Sequence, residues 1–130
     1  MPVSNILNIV NQLRCDDYLE KLTLDIPLCR MARTRNIENI KYFLEVDKMD
    51  GHKINAVLPF YIRAPEAYRN TSLVEVELLL VHQLQKNSEL KQCIENNKEN
   101  KQAILNPLFS RLGVSCLKFK NYDFFMLELA

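Results

Sequence analysis

Apolar and polar residues alternate most regularly in IKYFLEVDKMDGHKINAVLPFYI, residues 40–62. A period of two is typical of a β-strand, whose successive side chains point to opposite faces. Asp50-Gly51 divides the run into two halves, and glycine readily adopts the positive φ that a tight hairpin turn requires. The stretch therefore predicts a β-hairpin in the middle of the chain.

Three more stretches on either side of this hairpin predict strands. Residues 22–28 alternate with the same period, although Pro27 lacks an N–H for the ladder and so indicates an edge or a bulge. Residues 114–120 and 122–129 predict two strands joined at Asn121, with a bulge in the first. The second of these is apolar on both faces, so it should either lie centrally in a sheet or meet a partner.

Helical spacing appears at the beginning of the chain and after the hairpin. Residues 3–14 predict a short amphipathic helix. Ser72 followed by Glu75 matches a capping box, and the largely apolar run behind it predicts a buried helix over residues 73–84. The remaining predicted helices cover residues 88–94 and 107–112, with Gly113 as the stop of the second.

The resulting element order is α-β-β-β-α-α-β-β, which indicates an α+β fold with a mainly antiparallel sheet. We expect the helices to pack on one face of that sheet. Residues 1–130 contain no repeat and no clear linker, so they predict a single domain, which would also suit the N-terminal domain of a longer protein.

The order of a helix, three strands, a connection flanked by Pro59 and Pro65, and further helices resembles RWD-type interaction domains. The resemblance covers residues 4–95. It lacks the family's tyrosine-proline turn, because Ile62 follows Tyr61. The resemblance implies a domain that works by contacting other proteins in an assembly.

Composition excludes several classes of protein. The chain has 130 residues, is 48% hydrophobic and carries a formal charge of +1, so it can bury a core but exerts no strong field on nucleic acid or a membrane. It contains no run of eighteen apolar residues, and its first residues do not match a signal peptide. We therefore expect a cytoplasmic or nuclear location and no membrane partner.

Residues that carry chemistry are few and scattered. The chain has two glycines, too few for a phosphate-binding loop, and its only histidines are His52 and His82. Its four cysteines form no Cys-x-x-Cys pair and read as free, mostly buried thiols. We expect no cofactor, no metal and no catalytic residue. The alternative from the enzyme class is a small cysteine-dependent enzyme using Cys93 or Cys116.

The leading hypothesis is a non-enzymatic protein–protein interaction module, a subunit or domain of a larger intracellular assembly. A single helical layer would leave apolar side chains exposed on the second sheet face, and such patches mark interfaces. The partner would be another subunit or a second copy of this chain. The residues expected to make this contact are Phe43, Val57, Tyr61, Phe125 and Leu127.

The alternative hypothesis is a nucleic-acid-binding domain that uses an arginine-rich loop over residues 30–41. Guanidinium groups donate paired hydrogen bonds that suit phosphate, although the same groups could orient an acidic protein partner. The cations expected to contribute are Arg30, Arg33, Arg35, Lys41, Arg63 and Arg69.

Overall fold

The computed structural model describes residues 3–46, 68, 73–81 and 87–130. The described residues form four helices and four strands, so the predicted α+β class is confirmed. In chain order the elements are α1 (Val3–Asp16), β1 (Thr23–Leu24), α2 (Ile26–Val46), β2 (Val74–Val81), α3 (Asn87–Glu95), α4 (Lys98–Ile104), β3 (Arg111–Phe119) and β4 (Tyr122–Leu129).

The four strands form one mixed sheet in the order β1-β3-β4-β2. The central strand β4 runs antiparallel to both β3 and β2, whereas the short β1 runs parallel to β3. The predicted terminal hairpin is confirmed, with a turn at Lys120 and Asn121. Its register runs without interruption from Leu112 opposite Leu129 to Phe119 opposite Tyr122, so the predicted bulge is absent.

Helices cover both faces of the sheet, which corrects the prediction of a single helical layer. α2 packs against β3 and β4 on one face, while α1 packs on β3, and α3 and α4 on β2. The side chains between the sheet and the second group of helices form one buried cluster, which includes Ile6, Val10, Leu90, Ile94, Ile104, Val76, Leu78, Val114, Phe125 and Leu127. The protein is therefore a three-layer α-β-α sandwich.

α2 occupies residues for which strands were predicted. Asp25 caps the helix, since its Oδ2 accepts a hydrogen bond from the amide of Leu28 at 3.1 Å. Pro27 lies in the first turn, where its missing N–H costs nothing. Residues 40–46 continue this helix, so they do not form the first strand of a hairpin. The remainder of that predicted hairpin lies outside the described residues.

β2 replaces the predicted buried helix over residues 73–84. It pairs with β4 from Val74 opposite Leu129 to Val81 opposite Tyr122. Glu75 therefore belongs to a strand and does not complete a capping box. With β2 a strand and α2 a helix, the element order that resembles RWD-type domains is not present.

Gly113 lies within β3 and is not the stop of a helix. A Cβ atom at this position would overlap the backbone carbonyl of Leu28. Of the helix predicted over 107–112, residues 111–112 belong to β3, and residues 107–108 form a turn in which Oδ1 of Asn106 accepts the amide of Leu108 at 2.9 Å. Glycine here permits the close approach of α2 to the sheet.

Candidate functional site

The predicted arginine loop is wrong, because its members lie on α2. Arg30, Arg33 and Lys41 are exposed, at a spacing that places them on the outer side of the helix. Arg35 is only 1% exposed and faces the sheet. The two other cations of the predicted set, Arg63 and Arg69, lie outside the described residues. The described residues therefore do not bring the six predicted cations together in one cluster.

Arg35 is held by carboxylates in a buried ion-pair network. Its Nε and Nη2 donate to the two oxygens of Glu75 at 2.8 and 3.0 Å, and its Nη1 donates to Glu38 at 2.8 Å. Burial acts to lower the pKa of Arg35, but the hydrogen bond and negative charge of Glu75, with the negative charge of Glu38, outweigh it and raise that pKa. The Arg35 guanidinium therefore joins α2 to β2.

Glu128 lies beside this network with its side chain 0% exposed. Burial raises its pKa well above 4.5, and the neighbouring Glu75 carboxylate raises it further, against the opposing effect of Arg35. Neither oxygen accepts a hydrogen bond from the described residues. The neutral acid is therefore favoured, since it can donate to Glu75 and avoids a second buried negative charge.

A buried amide completes the polar layer under α2. Nδ2 of Asn36 donates to the backbone carbonyl of Phe124 at 2.7 Å and lies 3.3 Å from Oγ of Ser115. These bonds run from α2 to the two central strands. This polar layer thus fixes α2 in position on the sheet. Because the layer is enclosed, we interpret it as structural.

Phe125 and Leu127 are buried in the core, so the expectation that they lie on an exposed face is wrong. They are 1% and 0% exposed because α1, α3 and α4 cover their side of the sheet. Phe43 lies on α2, with a side chain outside the described set, and Val57 and Tyr61 lie outside the described residues. The interface, including self-association, stays a prediction that light scattering would test.

All four cysteines are free thiols, as predicted, but they are less buried than expected. Cys15 is exposed, whereas the other three are partly buried. Burial raises the pKa of Cys93 and that of Cys116, and the charge of Asp123 raises the latter further. A nucleophilic cysteine needs the opposite shift. His52 and His82 lie outside the described residues.

The described part of the chain shows neither a metal-binding cluster nor a membrane-spanning helix. No group of three or more histidine, cysteine, aspartate or glutamate side chains is arranged there to hold a metal ion. No helix among these residues is long and apolar enough to cross a bilayer.

A cleft of about 200 Å³ opens where the carboxyl ends of α1, α3 and α4 come together. Its lining residues are Leu13, Asp16, Asp17, Ile94, Glu95, Lys101, Ile104 and Leu105. We call it the helix-end cleft. A shallower groove, lined by Lys101, Gln102, Leu105, Asn106 and Pro107, shares two residues with it and continues along the surface.

Arg14 fixes the geometry of the helix-end cleft. The side chain is 2% exposed and donates only to backbone carbonyls: Nε to Glu20 at 2.7 Å, Nη1 to Ile104 at 2.8 Å and to Asn106 at 2.9 Å, and Nη2 to Phe109 at 3.2 Å. Burial lowers the pKa of Arg14, against the opposing charge of neighbouring groups. One guanidinium thus ties the end of α1 to the end of α4 and to the loop that leads into β3.

The cleft combines an apolar floor with a negative rim. Three carboxylates, those of Asp16, Asp17 and Glu95, face one lysine among its lining residues. Asp16 and Glu95 are the final residues of α1 and α3, where the helix dipole is also negative. An acid at that position costs about 0.3–1 kcal/mol in an exposed helix, so these side chains do not improve helix stability.

Neither Arg14 nor the helix-end cleft was predicted from the sequence. Arg14 follows Ile6 and Val10 at intervals of four residues, so it continues the buried stripe of α1. That spacing was a usable signal for a buried arginine. The cleft joins residues that are about 90 positions apart, and no local pattern connects them.

Comparison with known proteins finds similarity at the level of the fold. No protein-family model and no curated protein sequence matches the chain. An outer surface protein from Borrelia burgdorferi superposes with a TM-score of 0.75 at 18% identity, covering 97% of this chain and 89% of that one. A cysteine-rich secretory protein from Staphylococcus aureus gives 0.64 at 13%, covering 98% of this chain and 40% of that one.

A third similar structure is an Ancylostoma-secreted protein, with a TM-score of 0.59 at 14% identity, covering 96% of this chain and 65% of that one. These three neighbours are outer surface or secreted proteins. They contradict the predicted intracellular assembly module and its cytoplasmic or nuclear location. The TM-scores show that the chain shares the α+β fold of these proteins, and at sequence identities of 13–18% the similarity extends to the fold alone.

Proposed function

We propose that this chain is a non-catalytic binding domain that acts outside the cytoplasm, either secreted or held at a cell surface. The observation that carries the proposal is the fold it shares, over 97% of its length, with an outer surface protein. Two further secreted proteins with the same fold support the location.

The chemistry of the described residues supports a binding role over a catalytic one. The two buried arginines, Arg14 and Arg35, are bound by carbonyls and carboxylates that join helices to one another and to the sheet. The thiols of Cys93 and Cys116 have raised pKa values, which lowers the fraction present as reactive thiolate. The helix-end cleft, in contrast, is open and lined by charged groups at its rim.

The location is tested on intact native cells. An antibody raised against the purified chain should detect it in the culture medium or, after labelling with a membrane-impermeant biotin reagent, on the cell surface. A cytosolic enzyme should remain unlabelled in the same sample. Recovery of the chain only from lysed cells, and unlabelled, would refute the proposed location.

The non-catalytic assignment is tested on the purified protein by alkylation with iodoacetamide at neutral pH, followed by peptide mass spectrometry. Cys93 and Cys116 should react more slowly than the exposed Cys15, because their thiols are partly buried and hold their protons more tightly. Faster alkylation of either one than of Cys15 would count against a non-catalytic domain.

A further inference from the structure

The helix-end cleft favours a positively charged occupant. Its three carboxylates exceed its one lysine, and the carboxyl ends of α1 and α3 add partial negative charge to the same place, whereas the end of α4 is bound by the buried Arg14. Lys101 also lines the adjoining groove, so it stands at the boundary between the two depressions. An anionic ligand such as nucleic acid would meet repulsion here.

The acidic residues of the rim are only loosely engaged within the fold. Oδ1 of Asp16 accepts a hydrogen bond from Gln12 at 2.8 Å on the exposed surface. Oε1 of Glu95 lies 3.9 Å from Nζ of Lys91, and both side chains are about two-fifths exposed. Exposed pairs of this kind contribute little to stability, so an incoming cation can displace them without large loss.

The floor and the size of the cleft specify the occupant further. Leu13 and Leu105, both partly buried, supply the accessible apolar surface beneath the carboxylates, and the fully buried Ile94 and Ile104 lie behind them. A lysine or arginine side chain has this same division, with an apolar stem and a charged end. The volume of about 200 Å³ is below the roughly 300–1,000 Å³ of sites for small organic ligands, and it suits one long side chain.

We propose that the helix-end cleft binds a lysine or arginine side chain presented by an apolar segment of a protein partner. The aliphatic stem packs on the floor, and the charged end is bound between Glu95 and the acidic end of α1. The flanking residues of the partner extend into the groove past Leu105 and Pro107. The inference rests on the proposed function only for the partner's location, outside the cytoplasm.

The test titrates the isotope-labelled protein with a short synthetic peptide in which leucines flank one lysine. Binding is measured by the changes in the amide chemical shifts of the protein. Amides of residues 13–17, 94–95 and 101–107 should shift, and the shifts should weaken as salt is raised. A matched peptide with glutamate in place of lysine should bind at least tenfold more weakly. Equal binding of the two peptides, or no shift at millimolar lysine peptide, would overturn the proposal.

Variants locate the binding within the cleft. Combining Asp17→Asn with Glu95→Gln should lower the affinity for the lysine peptide at least tenfold, with amide shifts elsewhere in the protein unchanged. Glu99→Gln removes one charge from the exposed part of α4, outside the cleft lining. The affinity of this variant for the lysine peptide should stay within twofold of that of the wild type. A double variant that binds as well as wild type would also overturn the proposal. The result is independent of the labelling experiment on cells, so the two proposals can fail separately.

Discussion

Arg14 connects segments that are far apart in the chain through one side chain. Its guanidinium reaches carbonyls of Glu20, Ile104, Asn106 and Phe109, none of which carries a formal charge. A buried cation without a carboxylate is tolerated only when its donors are satisfied in this way. The planar, branched geometry of arginine is what allows one residue to serve four acceptors.

Replacing Arg14 with lysine should therefore lower the free energy of unfolding by about 3 kcal/mol, although the charge is kept. The ammonium group cannot reach the same carbonyls, and hydrogen bonds to charged groups are each worth about 1.5–3 kcal/mol. Urea unfolding followed by circular dichroism measures the loss. Arg30→Lys on the exposed side of α2 is the matched control and should change stability by less than about 0.5 kcal/mol. A similarly small change for Arg14→Lys would contradict the role assigned here.

Single residues also explain why the sequence concealed α2. The buried stripe of this helix begins with Leu28, Met31 and Ala32 and then continues through Arg35, Asn36 and Asn39. Its second half is polar, so hydropathy shows no helical period there. Arg35 and Asn36 lie inside because Glu75, Ser115 and the backbone of Phe124 supply partners from the sheet. That information comes from tertiary structure and is absent from the local sequence.

Among the elements, α2 and β3 approach each other closely at Leu28 and Gly113. The absence of a side chain on Gly113 lets the first turn of the helix lie directly on the strand. The amide of Val114, next to this glycine, also donates to Sγ of Cys29 at 3.4 Å. The position of α2 over the sheet therefore depends on this contact.

Gly113→Ala should destabilise the protein by about 3 kcal/mol or more, since the added methyl group meets backbone that cannot move without shifting α2. Thermal unfolding monitored by circular dichroism would show a lowered Tm. Ser110→Ala, on the exposed segment just before β3, provides the comparison and should have little effect. An unchanged Tm for Gly113→Ala would show that α2 can move away from the strand at little cost.

Elements defined by local signals were predicted correctly. α1 and α3 follow from helical spacing, and the terminal hairpin follows from a period of two around Asn121. β2 was missed because three consecutive leucines after Val76-Glu77 hide its alternation and read as a buried helix. Its glutamates alternate with valines because one face of β2 meets Arg35 and the other meets the core.

For the molecule as a whole, Glu128 links stability to pH. Its pKa is raised in the folded protein, so the folded state holds a proton that the unfolded chain releases above about pH 4.3. The contribution of Glu128 to stability is therefore greatest below the ordinary glutamate pKa and is lost as pH rises towards the folded value. The groups that set this balance are Arg35, Glu75 and Glu77.

Glu128→Gln should remove this decline, because the amide is neutral at every pH. The variant should be more stable than wild type at pH 8, and the slope of unfolding free energy against pH, at most about 1.4 kcal/mol per pH unit for one proton, should flatten between pH 5 and 8. Urea unfolding at several pH values measures both. Glu99→Gln, which alters an exposed carboxylate, should leave the slope unchanged. Parallel curves for wild type and Glu128→Gln would contradict a buried neutral acid.

The order of the strands in the sheet has a consequence for when the protein can fold. β4 lies at the centre yet is contributed by residues 122–129, after every other described element. A growing chain that lacks it leaves β2 with no neighbour in the described sheet and β3 with only the two-residue β1. Completion of the sheet therefore follows synthesis of the whole described segment, and the sheet stays incomplete until β4 has left the ribosome.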